Sequence, residues 1–192
     1  MAIPIPRTDR WTSKHLDEMP ENGLRYEVLH GQLVVTPAPS PRHQVMVHTL
    51  GRALVEALPD EYELGVGIGV LIGEDEPIPD LIVTSSAIDP DDSGVPAEQV
   101  VLAVEVVVEA TAVTDRMIKP VVYAEAGVPY FWRCEIHPFK QSLPGELPPV
   151  LFTYVLGPEG SYELTHRISV GETATVCTPF EFTLDPAILI PM

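Results

Sequence analysis

The sequence predicts a mixed α/β (α+β) domain, a central mixed sheet with helices packed on it and additional β-hairpins. Two observations lead there. Short β-branched and aromatic runs bounded by Pro, Gly, Asn or Asp outnumber the segments with helical periodicity. A helical segment near residues 114–126 stands between two strand-like runs, 100–108 and 130–136, so at least one helix connects central strands. The chain of 192 residues fits one domain, 1–192, and its 45% hydrophobic and 20% charged residues are those of a chain that buries a full core.

The elements follow in order. Thr12 to Met19 reads as a short helix, with Thr12 as N-cap and Pro20 beyond its end. Arg25 to Pro37 alternates and turns at His30-Gly31, a hairpin signal. Ser40-Pro41 opens the clearest helix, in which Met46, Leu50, Ala53, Leu54, Ala57 and Leu58 recur at helical spacing until Pro59. Tyr62 to Ile72 reads as one strand with Gly65, Gly67 and Gly69 on one face, bare enough for close approach of another backbone or a ligand. Leu81 to Thr84 is a short strand, residues 89–94 an acidic loop, and Val100 to Val108 the central strand. The helical segment ends at Gly127 as C-cap, and Tyr130 to Ile136 is the next strand. A Pro-rich surface loop over 138–149 leads to a second hairpin, Val150 to Leu156 and Tyr162 to Ile168, and Phe180 to Leu184 is expected to add an edge strand.

Composition excludes several classes of function. The longest apolar run, Val100 to Val108, is interrupted by Glu105, so no stretch spans a membrane as a helix. The first seven residues lack the apolar core of a signal peptide, and a cytoplasmic location is the expectation. Cys134 and Cys177 form no CxxC or zinc pattern and read as buried free thiols. His43 and His48, five apart, fall on different helix faces; His43 reads as a surface residue. Gly-x-Ser-x-Gly, a Walker loop and His-Glu-x-x-His are absent, which leaves serine hydrolase, NTPase and zinc protease without support. The net charge is −17, but it is uneven: residues 1–60 hold six Lys/Arg against seven acids, and the remainder holds five against 21. Any phosphate-facing surface is therefore expected to use the N-terminal third.

Three residues carry the chemistry. Asp80 precedes Leu81-Ile82-Val83, and Glu105 lies inside Val104-Glu105-Val106-Val107. Carboxylates beside buried strands need a partner or a metal. Two of them on neighbouring strands, with Lys119 behind, suit a divalent cation that activates water on a phosphodiester. The plainer alternatives are a turn cap for Asp80, a solvent-facing edge position for Glu105 and a solvated helix residue for Lys119. Glu27 alternates with Tyr26 and Val28 in the first hairpin, where an outward acid is ordinary, and Asp115 reads as a helix-start acid favoured by the dipole.

An ordered set of pieces resembles the Uma2 family of restriction-endonuclease-like proteins, of the PD-(D/E)xK nuclease fold. The set comprises Tyr26-Glu27-Val28-Leu29-His30-Gly31-Gln32-Leu33, Ser40 with His43, Pro79-Asp80-Leu81, Glu105-Val106, Asp115 with Lys119, and 123–132 from Tyr123 to Trp132. The resemblance spans a core of about residues 12–170. It implies a restriction-endonuclease-like sheet flanked by helices, and a metal-dependent endonuclease acting on nucleic acid, DNA before RNA, as a homodimer. It further implies that Asp80 and Glu105 hold Mg²⁺ or Mn²⁺ with the Val106 carbonyl as third ligand, that Lys119 assists catalysis, and that Glu27 lies near the metal. Two departures stand out. Val108 replaces a small hydroxyl residue, and Pro120 follows Lys119, so the helix either kinks there or starts late with Lys119 as its N-cap. The competing expectation is a catalytically inactive nuclease-fold module that binds a protein or nucleic-acid partner. A third is a homo-oligomer joined through the second hairpin, on Val150, Phe152 and Tyr154.

Overall fold

A computed structural model describes residues 8–190. The reading of residues 1–7 lies outside them. Strand β1 (Leu24–Leu29) turns at His30 and Gly31, both with positive φ, into β2 (Gln32–Pro37), as the hairpin signal predicts. Helix α1 (Pro41–Ala57) begins where expected: the Ser40 side chain accepts a hydrogen bond from the His43 N–H, and Pro41 occupies the first turn. There follow β3 (Glu63–Val66), β4 (Val70–Leu71), β5 (Leu81–Thr84), β6 (Val95–Pro96) and β7 (Val100–Val107). A π-helical turn, Thr114–Ile118, runs into helix α2 (Lys119–Glu125), and then come β8 (Tyr130–Glu135), β9 (Val150–Leu156) and β10 (Tyr162–Ser169). Last are β11 (Ala174–Val176) and β12 (Phe182–Leu184).

A six-stranded mixed sheet, in the order β10-β9-β8-β7-β5-β3, organises the chain. Within this sheet only β7 and β8 pair in parallel, because the π turn and α2 carry the chain back between them. Period two along β7 sorts its side chains: Leu102, Val104 and Val106 join Met46, Leu50 and Leu54 of α1 and Trp132, whereas Ala103 faces Tyr123 and Phe131. Glu105 therefore points to the α2 face. The C-terminal segment closes the other face, with Phe180, Phe182, Leu184 and Leu189 packed into the Trp132 cluster.

Several expectations are revised. The 62–72 strand breaks at Gly67, whose φ of +62 turns the chain, so β3 stays in the main sheet and β4 pairs with β6 elsewhere. The 180–184 run pairs with β11 in a separate two-stranded sheet and is not an edge of the main one. Residues Ser13–Glu18 form a 3₁₀ helix after the Thr12 cap. Cys177 is exposed, and only Cys134 is the buried thiol. In the second hairpin Val150 and Phe152 are buried within the chain, and the Arg133 guanidinium covers Phe152 at 4.7 Å and Tyr154 at 5.7 Å, which removes that face as a ready oligomer interface. Pro120 does not make Lys119 the N-cap of α2, which is Ile118. The Lys119 N–H bonds the Thr114 carbonyl five residues back, and this wider turn places Pro120 at the second position of α2, where no N–H is required. Among the described residues no helix is long and apolar enough to cross a membrane.

Two tests follow from this packing. The Gly69 carbonyl accepts the Val95 N–H at 2.9 Å, and a Cβ on Gly94 would lie 2.8 Å from that same oxygen. Gly94→Ala is expected to destabilise the fold by about 1–3 kcal/mol in urea denaturation. Burial, with the Asp17 charge adding, raises the Glu76 carboxyl to about 7. The folded state thus binds this proton more tightly than the unfolded chain, so its contribution to stability is full below the ordinary carboxylate pKa and is lost as pH rises to about 7. Glu76→Gln is expected to flatten that part of the stability profile, measured by denaturation across the range.

Candidate active site

Glu105 and Asp80 meet because of sheet register. The antiparallel ladder of β5 and β7 pairs Leu81 with Val104, so Asp80 and Glu105 lie one step beyond it, opposite one another. There β5 ends while β7 continues to Val107 against β8 alone. The backbone groups of β7 that lose a strand partner at this fork need others. The Val106 N–H donates to Asp80 Oδ2 at 2.8 Å, and the Val106 carbonyl accepts from His43 Nε2 at 3.0 Å.

All four residues singled out from the sequence line one cavity of about 310 Å³ at this fork, together with His43 and Asp115. Glu27, Asp80, Glu105 and Lys119 expose only 3%, 6%, 1% and 2% of their surface, which rules out the solvent-facing alternatives for Glu27, Glu105 and Lys119. Lys119 Nζ lies 2.9 Å from Glu27 Oε1, 3.1 Å from Glu105 Oε1 and 3.6 Å from Asp115 Oδ1, and it donates to the Ile78 carbonyl at 3.1 Å. Tyr123 donates its hydroxyl to Glu105 at 2.7 Å, and Glu27 accepts the Ile78 N–H at 2.7 Å. Asp80 is held separately, by the Val106 N–H, by His43 at 3.2 Å and by Arg25 at 3.6 Å.

Burial and charge set the protonation of these groups. Burial lowers the Lys119 pKa, but Glu105, Glu27, Asp115 and Asp80 outweigh it and hold the ammonium charged well above its usual range. Burial raises Glu105 well above an ordinary carboxylate; Lys119 only partly opposes this, and the neighbouring acids reinforce it. Asp115 is raised by burial to about 6 against the pull of Lys119 and the Thr111 hydroxyl. Asp80 goes the other way: burial raises it, but the bond to His43 and the charges of His43 and Lys119 bring it below the usual value. For His43, burial is outweighed by Asp80 and the Val106 carbonyl, and its pKa is raised. A carbonyl only accepts, so His43 Nε2 carries the proton, and Nδ1 is left buried without a partner among the described residues.

His43 and Asp115 line the cavity beyond the four predicted residues; Asp115 does stand in the first turn of the helical segment, as the sequence predicts. His43 is buried, not on the surface, and its spacing did signal this. It continues the buried stripe of Val47, Leu50 and Leu54 by one turn toward the helix start. Asp115 stands four residues before Lys119, the spacing of a helical ion pair. Arg25, at the base of the first hairpin, gave no signal beyond its charge.

The comparisons bear on this geometry. The sequence model of the Uma2 family, described as "Putative restriction endonuclease", matches residues 13–187. The chain belongs to the Uma2 family. A crystal structure of a "putative nuclease belonging to DUF820" from Anabaena variabilis is similar to it, with a TM-score of 0.62 at 17% identity, covering 93% of this chain and 96% of that one. At that identity the likeness establishes the shared nuclease fold. No curated protein matches.

The oxygens present suit a hard divalent cation in kind: two carboxylates, Asp80 and Glu105, and the Val106 carbonyl. Among the described residues no three acid, His or Cys side chains already stand around one point as ligands. The carboxylates are instead occupied by Lys119, Tyr123, His43 and Arg25.

Removing one partner from this buried network leaves charge uncompensated. Lys119→Met is expected to destabilise by about 3–5 kcal/mol near neutral pH. The deficit should shrink toward about pH 5, because unpaired Glu105 and Asp115, already raised by burial, take up protons in the folded state and stability then rises as pH falls. Denaturation of both proteins at the two pH values measures the difference.

Proposed function

We propose that residues 1–192 form one nuclease-fold domain that hydrolyses phosphodiester bonds of nucleic acid, DNA rather than RNA, as a metal-dependent endonuclease. The convergence of Glu27, Asp80, Glu105 and Lys119 on a single cavity at the fork of the sheet carries this reading, and membership of a family described as a restriction endonuclease supports it. Asp80 and Glu105 would hold Mg²⁺ or Mn²⁺, with the Val106 carbonyl as a third oxygen. A cation bound there would lower the pKa of a bound water and offset charge on the phosphate oxygens.

The chain's own residues supply the rest. Lys119, charged under all ordinary conditions, places an ammonium beside Glu105, where it orients the attacking water and offsets developing negative charge. Glu27 and Asp115 also hold that ammonium. His43 fixes Asp80 and the Val106 carbonyl together, so both oxygens face the cavity from one rigid base. The homodimer that the family resemblance implies belongs to the same proposal, and light scattering in solution counts the copies.

A second reading keeps the fold for binding without catalysis. Its specific support is that both Glu105 oxygens and both Asp80 oxygens are already engaged by protein donors, and that Val108 brings no hydroxyl to the cavity wall. Calorimetry with Mn²⁺ separates the two. On the nuclease reading the native protein binds the ion, Asp80→Ala and Glu105→Ala abolish binding, and both variants lose Mn²⁺-dependent cleavage of plasmid DNA by about 10²-fold or more, the scale of deleting one electrostatic contributor to catalysis. Absence of binding by the native protein, or binding unchanged in the variants, would leave the binding module.

A further inference from the structure

A second cavity, of about 550 Å³, runs from the candidate active site along α1 toward the free edge of the sheet. Arg25, His43 and Asp80 line both cavities, so the groove opens directly onto the fork. One wall is α1. Gln44, His48 and Arg52 stand there four residues apart, all exposed, giving one polar side chain per turn at a rise of about 6 Å. The other wall is β3, the last strand of the sheet order. The floor is apolar, built by Val47 and Leu64, and exposed Val55 and Val66 flank it.

Charge gives this groove its character. Its lining holds Arg25, Arg52, His43 and His48 against one carboxylate, Asp80, which Arg25, His43 and the Val106 N–H already satisfy. The other arginines with carboxylate partners are committed elsewhere: Arg10 to Glu74, Arg116 and Arg133 to Glu135, and Arg167 to Glu146. Arg52 has no such partner among the described residues. On a chain of net charge −17, a groove lined by two arginines and two histidines against one carboxylate is a locally cationic track, and it opens onto the cavity at the fork.

We propose that the groove between α1 and β3 is the path of a single nucleic-acid strand leading away from the scissile phosphate, with Arg52 and His48 on its phosphates and the valine-lined floor under its sugars and bases. This rests on the nuclease reading for the location of the scissile phosphate. The polar side chains of its α1 wall, Gln44, His48 and Arg52, lie in a single row, which suits one backbone. A peptide adding to the β3 edge is the other occupant such an edge takes.

Fluorescence anisotropy with a labelled oligodeoxythymidine, in EDTA so that no cleavage occurs, tests the path on the full chain. Arg52→Glu and, separately, His48→Glu are expected to weaken binding about tenfold, and Arg52→Ala to lower the salt slope of log K by about one. Arg42→Glu, at the start of α1 in a different surface pocket with Val45 and Ile190, is expected to change binding less than about twofold. Both groove positions are exposed, so the fold should survive; circular dichroism checks this. No binding by the native protein, equal binding by the groove variants, or an equal loss with Arg42→Glu would overturn the proposal, and the second of these results would favour the peptide. The nuclease reading is judged separately by Mn²⁺-dependent cleavage. Cleavage without a groove effect sinks the path alone, whereas a groove effect without cleavage sinks the nuclease and leaves a strand-binding groove.

Discussion

A single buried ammonium, Lys119, holds three carboxylates that the fold could not otherwise keep together. Glu27 comes from the first hairpin, Glu105 from the middle of the sheet and Asp115 from the turn before α2, and all three lie within 4 Å of Nζ. Unpaired, each would carry a desolvation penalty of about several kcal/mol. Paired, they tie the hairpin and the crossover helix to the sheet at one point. Asp115 and Lys119, four residues apart, share one side of the helical segment, and Pro120 falls at the second position of α2, where no N–H is required. Such a cluster is a poor source of stability compared with apolar packing of equal volume. Its presence in the centre of the fold is therefore better explained by chemistry at the cavity than by folding.

The fork in the sheet supplies the second half of the site by a different route. Where β5 stops and β7 goes on, the Val106 N–H and carbonyl lack a strand, and Asp80 and His43 take their place. Asp80 is thus held by the main chain of the same strand that carries Glu105. The two acids have opposite surroundings: donors keep Asp80 ionised, while burial and neighbouring acids push Glu105 toward its protonated form except where Lys119 compensates. A cation entering the cavity would meet one carboxylate already charged and a second poised by its neighbours, which is a graded site and not two equal ligands.

How much of this was legible depends on the kind of signal. Glu105 was readable from the sequence because an isolated acid in an apolar strand has few explanations, and the structure places it on the central strand with almost no exposure. The hairpins, α1 and the central strands followed from turn residues and periodicity. The break at Gly67 was not readable, since three alternating glycines fit a continuous strand as well as a turn, and only the φ of +62 decides. Asp80 and Lys119 were readable beside Glu105 as charged groups flanking strand-like runs, and the family resemblance added their roles. His43 is legible against Val47 and Leu50, whose buried stripe it extends, and not against His48. Buried polar partners of this sort are long-range, and Lys119 with Glu27, or Asp80 with His43, leave no local trace.

Charge segregation joins the fold to its use. The near balance of residues 1–60 and the strong acidity of the remainder look at first like a simple asymmetry of halves. In three dimensions the hairpin and α1 lay Arg25, His48 and Arg52 along one groove, while the arginines of the C-terminal half are consumed by Glu135 at the end of β8 and by Glu146 in the loop before β9. A polyanion approaching such a molecule is repelled by most of its surface and attracted at one channel. On that proposal overall acidity works toward selectivity of placement: binding depends on few contacts, falls only modestly with salt, and presents a strand only where it can reach the fork. The same acidity that argues against a protein coating nucleic acid with its whole surface is thus compatible with one that admits a single strand at a single place.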